Sequence, residues 1–266
     1  MVIPVHDENP LRRTPWVTYL LVAANVVVFL LTPASRTTGV QDTTVAQLCH
    51  QQAFFDRYAA VPRELTTDDQ LPVVPTGDVA VGPSGATCAT GAPNYDKMPW
   101  LSALFSMFLH GSWLHLLGNM LFLWIFGNNV EDRFGHALYA VFYVVCGYIA
   151  TYGFALANSG SAEPLVGASG AIAGVLGAYL ALYPRVRIWS LVPFLLFIPL
   201  RLPVWLVLGG WFLVQWAYAV GFAVSNAGGV AYLAHVIGFV VGYLIARPFR
   251  RRTPPTYRSG RPAPYP

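Results

Sequence analysis

The stretch 229–247 reads GVAYLAHVIGFVVGYLIAR. From Gly229 to Ala246 it holds no Asp, Glu, Lys or Arg, and Arg247 closes it. As a helix it is about 27 Å long, close to the roughly 30 Å of a bilayer's hydrocarbon core. Two features break its uniformity. Ala234, Gly238 and Gly242 recur at a spacing of four, a small-residue face that lets another helix approach closely. Beside that face stands one imidazole, His235.

Working outward, the rest of the chain has the same character. It has 266 residues, 55% of them hydrophobic and only 11% charged, about half the charge of a soluble domain. That excludes a disordered chain and argues against an ordinary soluble enzyme. Six segments are apolar enough to cross a membrane, at about 15–33, 111–128, 137–158, 168–184, 203–222 and 229–247. The expected fold class is therefore an all-α polytopic membrane protein with six transmembrane helices. The first segment follows Arg12 and Arg13, as a secretory signal would, but its apolar run from Trp16 to Leu31 is too long for one, so it reads as a retained helix. Ile188–Leu200 is apolar but interrupted by Pro193 and Pro199, and too short to span. Pro99–Leu109 is also short and reads as an interfacial segment.

Six spans put both termini on one side. That side collects Arg12, Arg13, Arg133, Arg185, Arg187, Arg201, Arg247 and the arginines of the tail, 12 of the 16 basic residues. The positive-inside rule then expects cytoplasmic termini and an outer loop over 34–99. The expected organisation is a short N-terminal segment (1–14), a membrane domain (15–247) and a basic, Pro-rich tail (248–266). The outer loop carries seven Asp or Glu residues and reads as a small ordered insertion or a floppy loop. It also holds Cys49 and Cys88, which can pair on the side where disulfides persist. Cys146 lies mid-membrane and reads as a packing residue.

No charged residue falls in the middle of a proposed span, which argues against an ion-driven pump or an aspartyl protease. The milder polar residues there are His110, His115, Asn119, Ser169 and His235. Counted from the expected cytoplasmic ends, His115 and Ser169 stand roughly 24 Å up and Asn119 and His235 roughly 18 Å up. All four thus share the outer half of the core. The glycines of the fourth span (Gly170, Gly174, Gly177) and the small face of the sixth would bring Ser169 toward His235. A serine hydroxyl needs a neighbouring base to become a nucleophile, and an imidazole with an ordinary pKa of about 6.5 suits that role. Ser169, after Gly167 and Ala168, opens its helix, where free N–H groups face a developing oxyanion. His115 and Asn119, four apart, share one helix face and both can donate. With no carboxylate available this would be a dyad.

Each residue alone has a plainer reading: Gly-Ala-Ser-Gly as packing, His or Asn as an interhelical hydrogen bond. Zinc hydrolysis is poorly supported, because there is no His-Glu-x-x-His and no nearby carboxylate. A Ser-Lys dyad is excluded, since the only lysine is Lys97 in the outer loop.

Phe108-Leu-His-Gly-Ser-Trp-Leu-His-Leu-Leu-Gly-Asn119, the Gly-Ala-Ser-Gly around Ser169, and Ala234-His-Val-Ile-Gly238 with Gly242 together resemble the rhomboid family of intramembrane serine proteases. Tyr58–Glu64 and Phe126–Gly135 are similar to family segments as well, so the resemblance runs from about 16 to 247. It implies a six-helix bundle with a water-filled cavity open to the outside. Ser169 would be the nucleophile and His235 the base and later the acid. His115 and Asn119, with the Ser169 N–H, would hold the oxyanion, and His110 would be structural. The fifth span would act as a lateral gate. One departure is Ala173, where some members place an aromatic ring against the catalytic histidine. The implied function is an endopeptidase in the plasma membrane of a bacterium, cutting the transmembrane segments of other proteins with no cofactor and no nucleic-acid partner. A rhomboid-like protein that binds membrane clients without cleaving them is the alternative. A channel or transporter using the His/Asn path is a third reading. Oligomeric state and substrate have no signature in the sequence.

Overall fold

Leucine- and glycine-rich apolar runs become helices because inside a membrane only an internally hydrogen-bonded backbone is tolerated. The computed structural model describes residues 3–7, 9–36, 44–82, 85–192, 198–222 and 231–250. In chain order these form β1 (Ile3–Asp7), α1 (Trp16–Leu31), α2 (Val45–Tyr58), α3 (Pro62–Thr67), β2 (Val74–Gly82), β3 (Gly85–Gly91), α4 (Pro99–Ser106), α5 (Trp113–Phe122), α6 (Asn128–Phe134), α7 (His136–Ala157), α8 (Ser169–Leu182), β4 (Arg187–Val192), β5 (Ile198–Pro203), α9 (Val204–Ala217) and α10 (Tyr232–Ala246). A π-helical turn, Leu123–Gly127, joins α5 to α6 without a break.

The chain is mostly helical, as expected, but not all-α. Among the described residues three helical runs are long and apolar enough to cross a membrane: His136–Ala157, Val204–Gly221 and Tyr232–Phe249. Trp16–Leu31 and Ser169–Leu182 are apolar and shorter. The run through α5 and α6 ends in Glu131, Asp132 and Arg133, so it is apolar only in its first part. The outward faces support a lipid surround. Leu20, Leu31, Leu114, Val141, Leu156, Leu213 and Val240 are exposed, a surface that water would not tolerate at this extent.

At the centre lies α8. From Ala171 to Leu182 every residue but Leu180 is buried. Its partner is α10, and the two backbones touch. A Cβ added at Gly238 would collide with the Gly170 carbonyl oxygen, and one at Gly242 with that of Gly174. The small-residue face read at 234, 238 and 242 therefore packs on the glycine face of α8. The helix α1 has no side-chain cap of its own. Glu131 from α6 supplies one, accepting from Val17 N at 2.9 Å, Thr18 N at 2.7 Å and Thr18 Oγ1 at 2.7 Å. A carboxylate there also meets the positive end of the α1 dipole.

Among the described residues two sheets depart from the expected all-helical class. Of the apolar stretch 188–200, residues 188–192 belong to β4 and 198–200 to β5; the two strands pair antiparallel, and β1 adds to them in the order β1-β4-β5. The prolines Pro4, Pro199 and Pro203 all fall on the two edge strands, where a missing N–H leaves no ladder bond broken. Pro193 lies outside the described residues. The outer loop is ordered over the described part of 44–98. There α2 begins with a Thr44–Gln47 capping box, β2 and β3 form an antiparallel hairpin, and Cys49 is bonded to Cys88, tying α2 to β3. Pro99–Ser106, expected at the interface, is the helix α4, with Ser102, Ala103 and Ser106 buried. The tail beyond Arg250 lies outside the described residues.

Candidate active site

The segment ahead of α8 is fixed before the helix starts. Ala60 and Leu165 form a short antiparallel bridge, with Leu165 N donating to Ala60 O at 2.7 Å. Gly167 N donates to Ser106 O at 2.9 Å, while Ser106 Oγ accepts from Ala60 N at 2.6 Å. Ser106 thus ties both the outer segment and the approach to Ser169. Gly167 has φ +129°, a conformation open to glycine. A Cβ there would stand 2.9 Å from His115 Nε2 and 3.4 Å from Ser169 Oγ. The missing side chain leaves the room between those two groups.

Ser169 is the first residue of α8, and it is half-buried. Its Oγ lies 2.8 Å from His235 Nε2. His235 is buried, and its other ring nitrogen, Nδ1, lies 2.7 Å from Gln215 Oε1 on α9. The indole of Trp211, one turn earlier on α9, approaches the same imidazole with ring centroids 6.0 Å apart. Tyr232 meets it edge-on at 6.4 Å.

On the other side stands α5. Ser112 caps it, accepting from His115 N at 3.2 Å. That sets His115 in the first turn and Asn119 one turn later, on the same face. Asn119 is buried, and its Nδ2 has no acceptor among the described residues. His110 is fully buried, with its ring 5.1 Å from that of His115 in an edge-on arrangement. Residues from α5, α8 and α10, distant in the chain, therefore meet at one place.

A model of the Rhomboid domain matches residues 97–252. The chain belongs to the rhomboid family. Among curated proteins it is similar to RHOMBOID-like protein 6, mitochondrial, of Arabidopsis thaliana, with 30% identity over 179 residues, 63% of this chain and 52% of that protein. It is also similar to Rhomboid protein 1, mitochondrial, of Saccharomyces cerevisiae, with 31% identity over 149 residues, 54% of this chain and 40% of the yeast protein. A shorter match, 39% over 75 residues, is to RHOMBOID-like protein 5 of Arabidopsis thaliana; it covers 28% of this chain and 24% of that protein. The chain spans about half or less of the length of these relatives. Two of the three carry a mitochondrial name, at odds with the expected bacterial plasma membrane. What holds is the coarser statement, a multi-pass membrane protein of the rhomboid family.

Sequence reasoning missed two residues of this neighbourhood. Gln215 is the one amide in an otherwise apolar 204–217, a signal as plain as His235 in its own span. Ser106 gave no signal, because its role comes from the fold.

Proposed function

We propose that this rhomboid is an intramembrane serine endopeptidase that cuts the transmembrane segments of other membrane proteins. The observation that carries the reading is the 2.8 Å contact between Ser169 Oγ and His235 Nε2 at the start of a central helix. In this reading His235 Nε2 takes the hydroxyl proton as Ser169 Oγ attacks the scissile carbonyl carbon. The carbonyl oxygen becomes an oxyanion. The Ser169 N–H at the helix N-terminus, His115 and Asn119 donate to it, and the unaccepted Nδ2 of Asn119 supports that role. His235 then returns the proton to the leaving amine. A water, activated by the same imidazole, hydrolyses the acyl-serine. The half-exposure of Ser169 supports access for that water. No cofactor enters any of these steps.

The same reading takes a six-span membrane domain over 15–247, termini in the cytoplasm, the 34–99 segment outside and a basic tail over 248–266. Gly167, Gly170, Gly238 and Gly242 serve the site by letting its helices close up. Substrates are membrane proteins, as for the family at large.

Labelling with an alkyl fluorophosphonate tests the reading in detergent-solubilised protein. Wild type is labelled, and Ser169→Ala and His235→Ala are not. Unlabelled, folded wild type overturns the protease reading in favour of a rhomboid-like protein that binds its clients without cutting them.

A further inference from the structure

The imidazole of His235 has to present one particular nitrogen to Ser169. In a triad a buried carboxylate arranges this by accepting a hydrogen bond from Nδ1. Among the described residues no carboxylate bonds to this imidazole, and α8 offers no ring, since the position one turn after Ser169 is Ala173. The hydrogen bond to the far side of the imidazole comes instead from α9. Gln215 Oε1 meets Nδ1 at 2.7 Å, and Gln215 is buried, 6% exposed. Trp211, four residues earlier and so on the same face, covers the ring.

We propose that Gln215 is a positioning residue of the site: its side-chain carbonyl accepts from His235 Nδ1–H and so keeps the Nε2 lone pair on the Ser169 hydroxyl. This rests on the protease reading above. The chemistry follows from the inventory of the groups. A neutral imidazole carries one N–H and one lone pair, and an amide oxygen only accepts. With Oε1 at Nδ1, the proton belongs on Nδ1 and the lone pair on Nε2. The amide also stabilises the imidazolium formed during attack, by a hydrogen bond to a charged donor. A carboxylate would do this more strongly, but an ionised group at this depth is costly to insert. An amide does the orienting without charge.

The arrangement has a second consequence. Ser169 and His235 sit on α8 and α10, which are locked backbone to backbone. Gln215 sits on α9, whose run is the least buried of the three long apolar helical runs described above. The base is therefore aligned only while α9 lies against α10. A substrate helix that displaced α9 would have to let it return before the serine could react.

The test compares Gln215→Met, of similar shape with no acceptor, and Gln215→Glu, which keeps one. The probe is again an alkyl fluorophosphonate, with labelling rates measured over a range of concentrations and of pH. Gln215→Met lowers the maximal labelling rate by about 10- to 100-fold, the worth of one hydrogen bond to a charged donor. The concentration for half-maximal rate stays the same, and so does the thermal unfolding temperature. Gln215→Glu recovers most of the lost rate, and the acid limb of its pH–rate profile moves to higher pH, because a carboxylate holds the imidazolium more strongly. Equal rates for wild type and Gln215→Met overturn the proposal while leaving the protease reading intact. Equal losses in the Met and Glu variants, or an unmoved profile in the Glu variant, overturn it as well. Absence of Ser169-dependent labelling in wild type overturns both.

Discussion

The outer segment 44–98 and the α8–α10 pair inside the bundle are held together by opposite means. Outside, the chain uses a covalent bond and charge. Cys49 is joined to Cys88. Lys97 Nζ meets Glu64 Oε2 at 2.6 Å and donates to the Asp56 carbonyl oxygen at 2.6 Å. Burial draws the Lys97 ammonium below its ordinary value and pushes Asp56 up to about 6. Inside, there is neither crosslink nor charge. Glycine lets two backbones meet, and the remaining order comes from neutral polar contacts. The outer part has too little core to stand on packing alone and needs its staple. The inner part cannot use charge, and close approach of backbones is what a membrane leaves available.

The largest expected effect falls on the inner region. Ser169→Ala lowers fluorophosphonate labelling by on the order of 10⁴-fold or more, while the far-ultraviolet helical signal is unchanged. Asn119→Ala lowers the rate of peptide hydrolysis by about 10²- to 10³-fold, the usual cost of one oxyanion donor. Wild-type turnover in that variant would remove Asn119 from the site. Gly242→Leu drives a side chain into the Gly174 carbonyl. It destabilises the bundle by about 3 kcal/mol or more and lowers labelling by roughly 10²-fold through displacement of His235. Retained labelling there would show that the α8–α10 contact is not what aligns the pair.

The outer region answers differently. Cys49→Ser removes about 2–4 kcal/mol from the stability of the 44–98 segment, read as faster limited proteolysis. It changes labelling only a few-fold, because among the contacts described above that segment reaches the approach to Ser169 through Ala60 alone, by way of Leu165 and Ser106. A loss as large as that of Gly242→Leu would erase the distinction between the two regions. The smallest effect is that of pH. The folded state holds the Asp56 proton up to about 6, above the ordinary carboxylate range. Its contribution to stability is thus fully present below about pH 4 and is lost as the pH rises through about 6. Asp56→Asn removes that step from the proteolysis profile of the outer segment. An unchanged profile would place the titration elsewhere.

The same contrast explains what the sequence made legible. The inner region is written in regular spacing: Gly170 and Gly174 on α8, and Ala234, Gly238 and Gly242 on α10, stand four apart, with one polar residue beside each row. Depth counting and helix periodicity therefore bring Ser169 and His235 together before any coordinates. Gln215 was legible by the same rule, as a lone amide in an apolar helix, but a span without a glycine row gives no hint of which neighbour it faces. The strands had weaker signals. Residues 3–7 and 187–203 are far apart in the chain, and the pairing of β1 with β4 has no local code. Pro199 reads as an interruption, and only the sheet shows it on an edge strand. In the outer segment the two cysteines offered a pairing, but whether the segment is ordered or floppy, and the register of β2 on β3, were beyond local pattern.

The absence of ionised side chains from α8, α9 and α10 bears on how such a protein is made. A charged residue at the centre of a helix costs about 2.5–3.5 kcal/mol when the segment passes from the translocation machinery into lipid. Ser169, Gln215 and His235 each enter on a separate helix, alone and uncharged. Each helix can therefore partition into the bilayer by itself, before any partner exists to satisfy it. The reactive centre comes into being only when the glycine rows meet, so biogenesis never has to carry a finished nucleophile through the membrane.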